Sequence, residues 1–361
     1  YSASEFSIAQ GGTGIDVIKN LPSISFNGIG EIRVRGTTGF VVLLNNKPIQ
    51  SDVQSLLSQI PANSIKNIEI ITAPSAQYDA EGKAGILNIL TLKNYVMGDY
   101  LLLNTLLGAP SVEDYYNAQA TQRFGADITY NTVGKKWNFS SGFSFQRNDI
   151  SGRREGDVYT IIRDKYTRFP SDGERSFNEM NFSGRLTVDY QLSDQDMFSL
   201  GLYAGKRMKE RTADILYNNY AIIEDEIDYR FQYYNENLRV RKSDFVLGSL
   251  DYDHLFENSA KLHTSVLYEY TLLGGPTTNR NLGHPDNSII YQDEYNTNNN
   301  PLYGLRINLD YNFKPLSIGK LKIGYQFRNL DHTGDFIYER KNNTTKIFEL
   351  VPEFSSEVNL K

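Results

Sequence analysis

The side chains that could carry out chemistry in this sequence are scattered, without the spacing that a reactive site needs. The 361 residues contain no Cys and four His, namely His254, His263, His284 and His332. Without Cys these residues cannot form a disulfide, a thiolate zinc site, an iron–sulfur cluster or a thiol nucleophile. No His has a second one three or four residues away, the spacing of a helical zinc site. We therefore predict neither a metal nor a cofactor.

Carboxylates and a glycine-rich run offer no better site. Asp251 and Asp253 are two residues apart on a predicted strand, so they are neighbours on its polar face. The acidic stretches at 224–228 and 286–294 lack the ligand spacing of an EF-hand, and we interpret them as solvent-exposed loops. Gly11-Gly12-Thr13-Gly14 lacks the Lys-Ser/Thr ending of a phosphate-binding loop. No nucleophile–base pair occurs, and we predict that the protein is not an enzyme.

The elements that position these side chains are mostly strands. From about residue 120 apolar and polar residues alternate, as in Trp137, Phe139, Ser141, Phe143 and Phe145 set against small or polar neighbours. Such segments lie near 124–130, 137–145, 182–190, 198–204, 246–256, 262–270, 305–313 and 321–327. Alternation with 25 Tyr and 19 Phe suits strands that have one polar face. With about seven to eleven residues each, these segments approach the roughly nine to eleven residues of a tilted strand that crosses a bilayer.

The connections between these segments alternate between short and long, as in outer-membrane barrels, where short periplasmic turns face long extracellular loops. We expect the long loops at about 148–181, 207–243, 273–302 and 329–345. The predicted fold is mainly β: a small α/β domain followed by antiparallel transmembrane barrel strands. An eight-stranded barrel is filled by its own side chains and could not enclose that domain. Even with a ninth strand at about 346–354, the strands are too few to enclose that domain. We therefore predict that the barrel is incomplete in this chain.

Three regions follow from this change of pattern. Residues 1–94 combine two short helices, ending before Pro22 and Pro61, with about four short strands. Residues 95–120 connect this domain to the barrel, and residues 121–361 form the N-terminal part of the barrel. A net charge of −6, from 37 basic and 43 acidic residues, argues against a nucleic-acid partner.

Residues 15–94 resemble the plug domain of TonB-dependent outer-membrane receptors, in the variety common among Bacteroidota. The likeness rests on several motifs in family order. They are IDVIKNLPSI at 15–24, EIRVRG at 31–36, VLLNNKP at 42–48 and IPANSIKNIEIITAPSAQYDAEGKAGILNILT at 60–91. The barrel half resembles the family in pattern only, and family barrels have 22 strands, of which eight or nine are seen here.

The resemblance implies a receptor in the bacterial outer membrane that imports a scarce nutrient through a plugged barrel. Metal chelates, oligosaccharides and peptides are the ligand classes it leaves open. TonB, with its inner-membrane energising complex, would act through a segment upstream of residue 1, and a surface lipoprotein and outer-membrane lipid are further expected partners. The alternative is a structural or export-associated barrel protein with a plug-like gate and no import.

The plug residues with an expected role are charged side chains and glycines. Arg33, Arg35, Glu69 and Glu81 are candidates for ion pairs within the plug or with the barrel, and Gly36, Gly82 and Gly85 are candidates for tight turns. Candidate ligand contacts are Tyr217, Tyr220, Tyr233, Tyr234 and His263. Tyr rings could stack on a ligand or form the aromatic girdle at the bilayer surface, and the sequence does not choose between these roles. His263 is expected to face the lumen.

Overall fold

The protein consists of a small N-terminal domain and one large antiparallel sheet. The computed structural model describes residues 13–26, 32–34, 36, 38, 40–45, 47–49, 53, 57, 60, 62, 65–71, 85–91, 98–109, 113–163, 165–315, 319 and 321–360. Among these residues, no helix is long and apolar enough to cross a membrane.

The N-terminal domain is built on a short helix and a four-stranded sheet. Helix α1 spans Gly14–Ile18, and the backbone N–H of Thr13 donates to the Asp16 carboxylate at 2.9 Å, as in a capping box. The strands are β1 Ile24–Phe26, β2 Ile32–Val34, β3 Val41–Leu44, β4 Lys47–Ile49, β5 Ile65–Ile71 and β6 Ile86–Thr91. Strands β4, β3, β6 and β5 form the sheet in that order, with β3 and β6 parallel, while β1 and β2 pair separately.

Apolar side chains from the helix and both central strands fill the core of this domain. Val17 and Ile18 of α1 pack in one cluster with Leu44 of β3, Ile68 of β5 and Leu87 of β6. The expected first helix is therefore present, although α1 is shorter than the pattern predicted. Of the expected second helix, the described residues Val53 and Leu57 are helical.

The large sheet contains twelve strands, and each pair in it is antiparallel. The strands are β7 Gly98–Leu107, β8 Arg123–Val133, β9 Trp137–Asn148, β10 Arg153–Ile162, β11 Lys165–Gln191, β12 Asp196–Ile223, β13 Glu226–Leu255, β14 Lys261–Gly283, β15 Ile290–Asn312, β16 Lys322–Lys341, β17 Phe348–Leu350 and β18 Ser356–Leu360. Strands β7, β8, β9 and β11 to β17 follow in chain order, with β10 paired to β11 and β18 to β16. Among the described residues β7 does not pair with β17 or β18, so the sheet is open.

The predicted mainly-β fold is confirmed, and each of the eight predicted segments falls on a strand, with at most one residue beyond the end of that strand. The prediction of long loops needs correction. The intervals 148–181, 207–243, 273–302 and 329–345 are largely strand, because the hairpins continue far beyond the apolar segments and turn only at their tips. Strand β7 also begins inside the segment expected to be a connector. The sequence pattern predicts loops in these intervals because neither face of the polar strands carries an apolar row.

The two faces of the large sheet differ near the short turns. One face exposes Leu101, Leu103, Phe143, Phe198, Leu200, Leu202, Leu250, Tyr268, Leu305, Leu309, Ile323, Tyr325 and Phe327. We call this row the apolar belt, and the opposite face, which carries the N-terminal domain, the inner face. On β12 the belt ends at Lys206, whose side chain is 67% exposed and lies 3.7 Å from the Asp244 carboxylate.

Strands β12 and β13 are 28 and 30 residues long, and they pair along almost their whole length. At about 3.4 Å per residue each would be roughly 95 Å long, about three times what a bilayer requires. The register is regular from Asp196↔His254 to Ala221↔Tyr229, with an irregularity only at the tip. Side chains therefore keep to one face along the hairpin, and the inner face extends far past the belt.

Candidate functional site

The N-terminal domain docks on the inner face through an apolar patch. Phe245 and Leu247 of β13 and Leu267 of β14 are buried, and they belong to the same cluster as the core of the N-terminal domain. Tyr203 of β12, directly opposite Leu247, packs against this cluster. Three neighbouring strands thus present one apolar surface to the domain, while most other inner-face positions are polar.

A polar latch lies beside this patch. Asn45, in the turn after β3, donates through Nδ2 to the Tyr203 hydroxyl at 3.0 Å and to Thr91 Oγ1 at 3.0 Å. The backbone N–H of Thr91 donates in return to Asn45 Oδ1 at 2.9 Å. Asn45 has φ +52°, a left-handed conformation that Asn adopts more readily than most residues. One turn of the domain is thereby tied to the last residue of β6 and to the wall.

Charged residues next to the patch are buried as well. Asp251, Glu269 and Arg306 are 7%, 4% and 6% exposed and lie on the inner face of β13, β14 and β15. Each is engaged by polar or electrostatic contacts. Burying a charge is costly unless it is paired or hydrogen-bonded, so these contacts offset the cost of burying the three charges on this face.

The plug residues singled out from sequence have mixed outcomes. Glu69 accepts a hydrogen bond from Asn88 Nδ2 at 2.8 Å, within the domain, and Arg33 lies on β2 with an exposed side chain. Gly36 and Gly85 have φ of +83° and +115°, so the structure places both in conformations that favour glycine. Arg35, Glu81 and Gly82 lie outside the described residues. The ion-pair roles of Arg33 and Glu69 stay predictions.

The structure brings two of the candidate tyrosines together. Tyr217 and Tyr233 are directly opposite on β12 and β13, and their rings stack at 4.9 Å with an angle of 12°. Phe231 stacks on Tyr233 at 5.5 Å and contacts Tyr291 at 5.2 Å. Burial and the neighbouring Tyr217 raise the pKa of Tyr233. The pair lies beyond the apolar belt, on the inner face, which favours a ligand-facing role over the bilayer girdle.

The other candidates lie elsewhere. Tyr220 alternates to the opposite face, where Arg168 and Arg230 lie 5.8 and 6.0 Å from its ring. Tyr234 follows Tyr233 and also points to that opposite face. His263 is on the inner face as expected, but at the short-turn end, where its Nδ1 is 2.9 Å from Asp253 Oδ1. Among the described residues, no group of three His, Asp or Glu side chains could hold a metal ion.

The sequence reading missed a row of side-chain amides across the inner face. Asn235 Nδ2 donates to Asn279 Oδ1 at 2.8 Å and to Asn281 Oδ1 at 2.7 Å, and Asn237 Nδ2 donates to Asn279 Oδ1 at 3.0 Å. Asn279 Nδ2 continues the row to Glu294 Oε2 at 3.1 Å. We call these four Asn residues the amide row. Its signal in the sequence is Asn-x-Asn at 235–237 and again at 279–281, two residues on one face of each strand.

The comparisons with known proteins agree with this architecture. Residues 1–86 match the family model of the TonB-dependent Receptor Plug Domain. The chain carries the plug of a TonB-dependent receptor. The N-terminal domain is therefore called the plug from here on, and the protein belongs in the bacterial outer membrane. TonB-dependent receptors are not enzymes. The Bacteroidota variety stays an expectation.

One solved structure shows the same fold at low sequence identity, and a second aligns less closely. The crystal structure of the ferric yersiniabactin uptake receptor FyuA from Yersinia pestis aligns with a TM-score of 0.53 at 11% identity, over 100% of this chain and 60% of that one. The ferric citrate transporter FecA in its unliganded form aligns with a TM-score of 0.40 at 10% identity, over 99% and 58%. The chain thus spans about three fifths of the length of these structures. No curated protein sequence matches the chain.

Proposed function

We propose that this chain is the plug and the N-terminal part of the barrel of a receptor that imports a scarce nutrient, powered through TonB. Residues 1–94 would form the plug, residues 95–120 a connector that already contains β7, and residues 121–361 the barrel wall. The ligand would be a metal chelate, an oligosaccharide or a peptide. A surface lipoprotein that delivers the ligand is a further proposed partner.

The observation that carries the proposal is the way the plug is held. A plug that must move needs a defined seat and contacts that can be broken. Phe245, Leu247 and Leu267 each contribute at most about 1.5–3 kcal/mol of apolar burial, part of it from their own sheet neighbours. The latch around Tyr203 adds neutral hydrogen bonds of about 0.5–1.5 kcal/mol each. Among the described residues, the seat of the plug thus consists of the small apolar patch and the polar latch beside it.

The working cycle follows from this arrangement. A ligand that binds the inner face beyond the belt would contact the wall and the outward side of the plug together. Force from the energising complex, applied through TonB to a segment before the plug, would then break the latch and open a passage. The alternative of a structural or export-associated barrel requires no ligand on the inner face and no movement of the plug.

A cross-link between plug and wall tests the proposal. The 361 residues contain no Cys, so Asn45→Cys with Tyr203→Cys introduces a defined thiol pair, which a short bis-methanethiosulfonate reagent can bridge through two disulfides that reduction cleaves. Thr212→Cys with Leu238→Cys, a direct pair on the outer face of β12 and β13, is the matched control that joins two wall strands only. Both pairs would be placed in the complete receptor in its native host.

The readout is growth on limiting ferric chelates, oligosaccharides or peptides, each supplied singly, with and without TonB. Import requires that one of these nutrients supports growth only when receptor and TonB are both present. Bridging the plug pair should abolish that growth, reduction should restore it, and the control pair should have no effect. Growth that ignores TonB and survives the plug cross-link would favour the structural alternative.

A further inference from the structure

Beyond the apolar belt, the inner face of β11, β12 and β13 carries a concentration of positive charge. Lys209 lies directly opposite Arg241, and Arg211 directly opposite Arg239, in successive inward-facing positions of the same hairpin. Directly opposed side chains have Cβ atoms about 4.5–5.5 Å apart, and like charges in such pairs are destabilising. Arg175 of β11 lies opposite Ala213, one inward-facing position further along β12 than Arg211. Two consecutive like-charge pairs are a local cost that the fold tolerates.

Carboxylates compensate for only part of this charge. Glu179 lies 2.8 Å from Arg207 Nε and 3.3 Å from Lys209 Nζ, so it serves the lower end of the group. No carboxylate among the described residues pairs with Arg175, Arg211 or Arg239. We call these three residues the arginine cluster.

Arg211 is held in place but not satisfied. It donates through an Nη atom to Asn237 Oδ1 at 2.7 Å, which anchors one side of the guanidinium to the amide row. Its Nε is buried and has no hydrogen-bond partner in the described part of the chain. Burial and the positive charges of Arg239 and Arg175 lower the pKa of Arg211. A guanidinium oriented by a neutral amide, surrounded by like charge and left with an unused buried donor, is prepared for an anion.

The surroundings fit a bound molecule rather than a bare ion. The stacked Tyr217 and Tyr233 lie on the same face, six residues further along β12, which is about 20 Å towards the hairpin tip. The amide row lies beside the cluster and offers neutral donors and acceptors. The described inner face therefore presents an aromatic surface, a polar strip and a cationic patch in sequence from the tip towards the plug.

We propose that Arg175, Arg211 and Arg239 bind an anionic group, a carboxylate or a phosphate, of the imported ligand. Planar guanidinium groups bind both anions through paired hydrogen bonds, so the two share one recognition chemistry. The proposal rests on the proposed import function, because it assigns a substrate class to the same inner face. It selects acidic ligands among the chelates, oligosaccharides and peptides left open above.

The test is anion binding to the complete purified receptor in detergent, with citrate and inorganic phosphate as the probes. The variant Arg175→Gln/Arg211→Gln/Arg239→Gln removes three positive charges from the inner face. The control variant Lys206→Gln/Arg230→Gln/Lys242→Gln removes three positive charges from the outer face of the same hairpin. Calorimetric titration at low and at high salt gives the affinities, and the two probes distinguish carboxylate from phosphate.

We expect at least one probe to bind the unmodified receptor and to bind the cluster variant at least tenfold more weakly, with the control within twofold. Arg211→Lys keeps the charge but loses the guanidinium fork, so it should have intermediate affinity. A second readout needs no ligand: Arg239→Gln removes one of the opposed charges and should raise the thermal unfolding midpoint of the free receptor.

Absence of binding by both probes, or equal binding by the two triple variants, would overturn the proposal. A lower unfolding midpoint for Arg239→Gln would do the same, since it would mean that another part of the receptor already neutralises the cluster. Binding to purified receptor requires neither TonB nor energy. A failure here therefore leaves the import test standing, and a failure of the import test leaves this result interpretable.

Discussion

Among the described residues, the hydroxyl of Tyr203 is the one group of the large sheet that hydrogen-bonds Asn45 and Thr91 of the plug. Replacing Tyr203 by Phe keeps the ring against Leu247 and the apolar patch and removes only this hydroxyl. Asn45 Nδ2 then loses the acceptor at 3.0 Å, and Thr91 Oγ1 loses a neighbour at 3.4 Å. A lost neutral hydrogen bond costs about 0.5–1.5 kcal/mol, and a buried donor left without a partner up to about 3 kcal/mol. Because Asn45 is half-buried, we expect Tyr203→Phe to destabilise the docked plug by about 1–2 kcal/mol.

Hydrogen exchange measures this cost directly. The amides of Val41, Asn45 and Thr91 are hydrogen-bonded within the plug and become exposed when it opens. A loss of 1–2 kcal/mol raises the open population, and hence the exchange rate of these amides, about 5- to 30-fold. Amides of the belt strands should be unchanged, because they do not depend on the seat of the plug.

The control is Tyr190→Phe. Tyr190 stacks on Trp137 at 4.1 Å, and its hydroxyl has no hydrogen-bond partner among the described residues. This variant therefore removes an oxygen without breaking a contact. If Tyr203→Phe changed the exchange of the plug amides by less than twofold, or if the control changed it equally, the latch would not hold the plug and our reasoning about its seat would be wrong.

Three further predictions concern the wall. Asp196 is the first residue of β12, and hydrogen bonds from Ser193, Tyr252 and His254 lower its pKa to about 2. The stabilisation by this carboxylate should therefore be complete above about pH 4 and fade as the pH falls through about 2. Thermal unfolding of Asp196→Asn should lack this acid dependence. Gly275 has φ +122°, and a Cβ there would lie 2.3 Å from the Val240 carbonyl oxygen. Gly275→Ala should therefore lower the free energy of unfolding, measured with denaturant, by at least about 1–3 kcal/mol. The control Gly248→Ala has open space around it and should leave this free energy unchanged. Tyr233→Ala should lose the stacking on Tyr217, worth about 0.5–1.5 kcal/mol beyond the buried area, and weaken ligand binding, whereas Tyr234→Ala on the opposite face should leave binding unchanged; equal effects of the two would contradict the assignment of the inner face.

The parts of the fold that the sequence predicted are those in which one face is apolar. Phe198, Leu200 and Leu202 alternate with polar residues because lipid lies on one side and the inner face on the other. From Lys206 to the tip of β12 polar residues occur on both faces, so the period of two carries little contrast in polarity and the pattern predicts a loop. Strand β7 was missed for the opposite reason, since Leu101, Leu102 and Leu103 are apolar on both faces.

The site depends on register, which the residue types do not contain. Tyr217 meets Tyr233, and Arg211 meets Arg239, because β12 and β13 turn at Glu224 and Asp225. A turn displaced by one residue would pair each with a different partner. The plug could be recognised from its motifs, and the tyrosines could be nominated from their type, but their separation into two faces required the paired strands.

The great length of the β12–β13 hairpin means that a single strand passes through two environments with different stability. Near the belt its hydrogen bonds are shielded by lipid and by the plug, whereas at Glu226–Arg230 they are exposed to water on both faces and end in a turn. The hairpin should therefore fray from the tip inward. The free energy of local opening should fall, and opening should become faster, with distance from the bilayer. The tyrosine pair would therefore lie in the part of the hairpin that opens most often, and the arginine cluster in the part where local opening becomes rare.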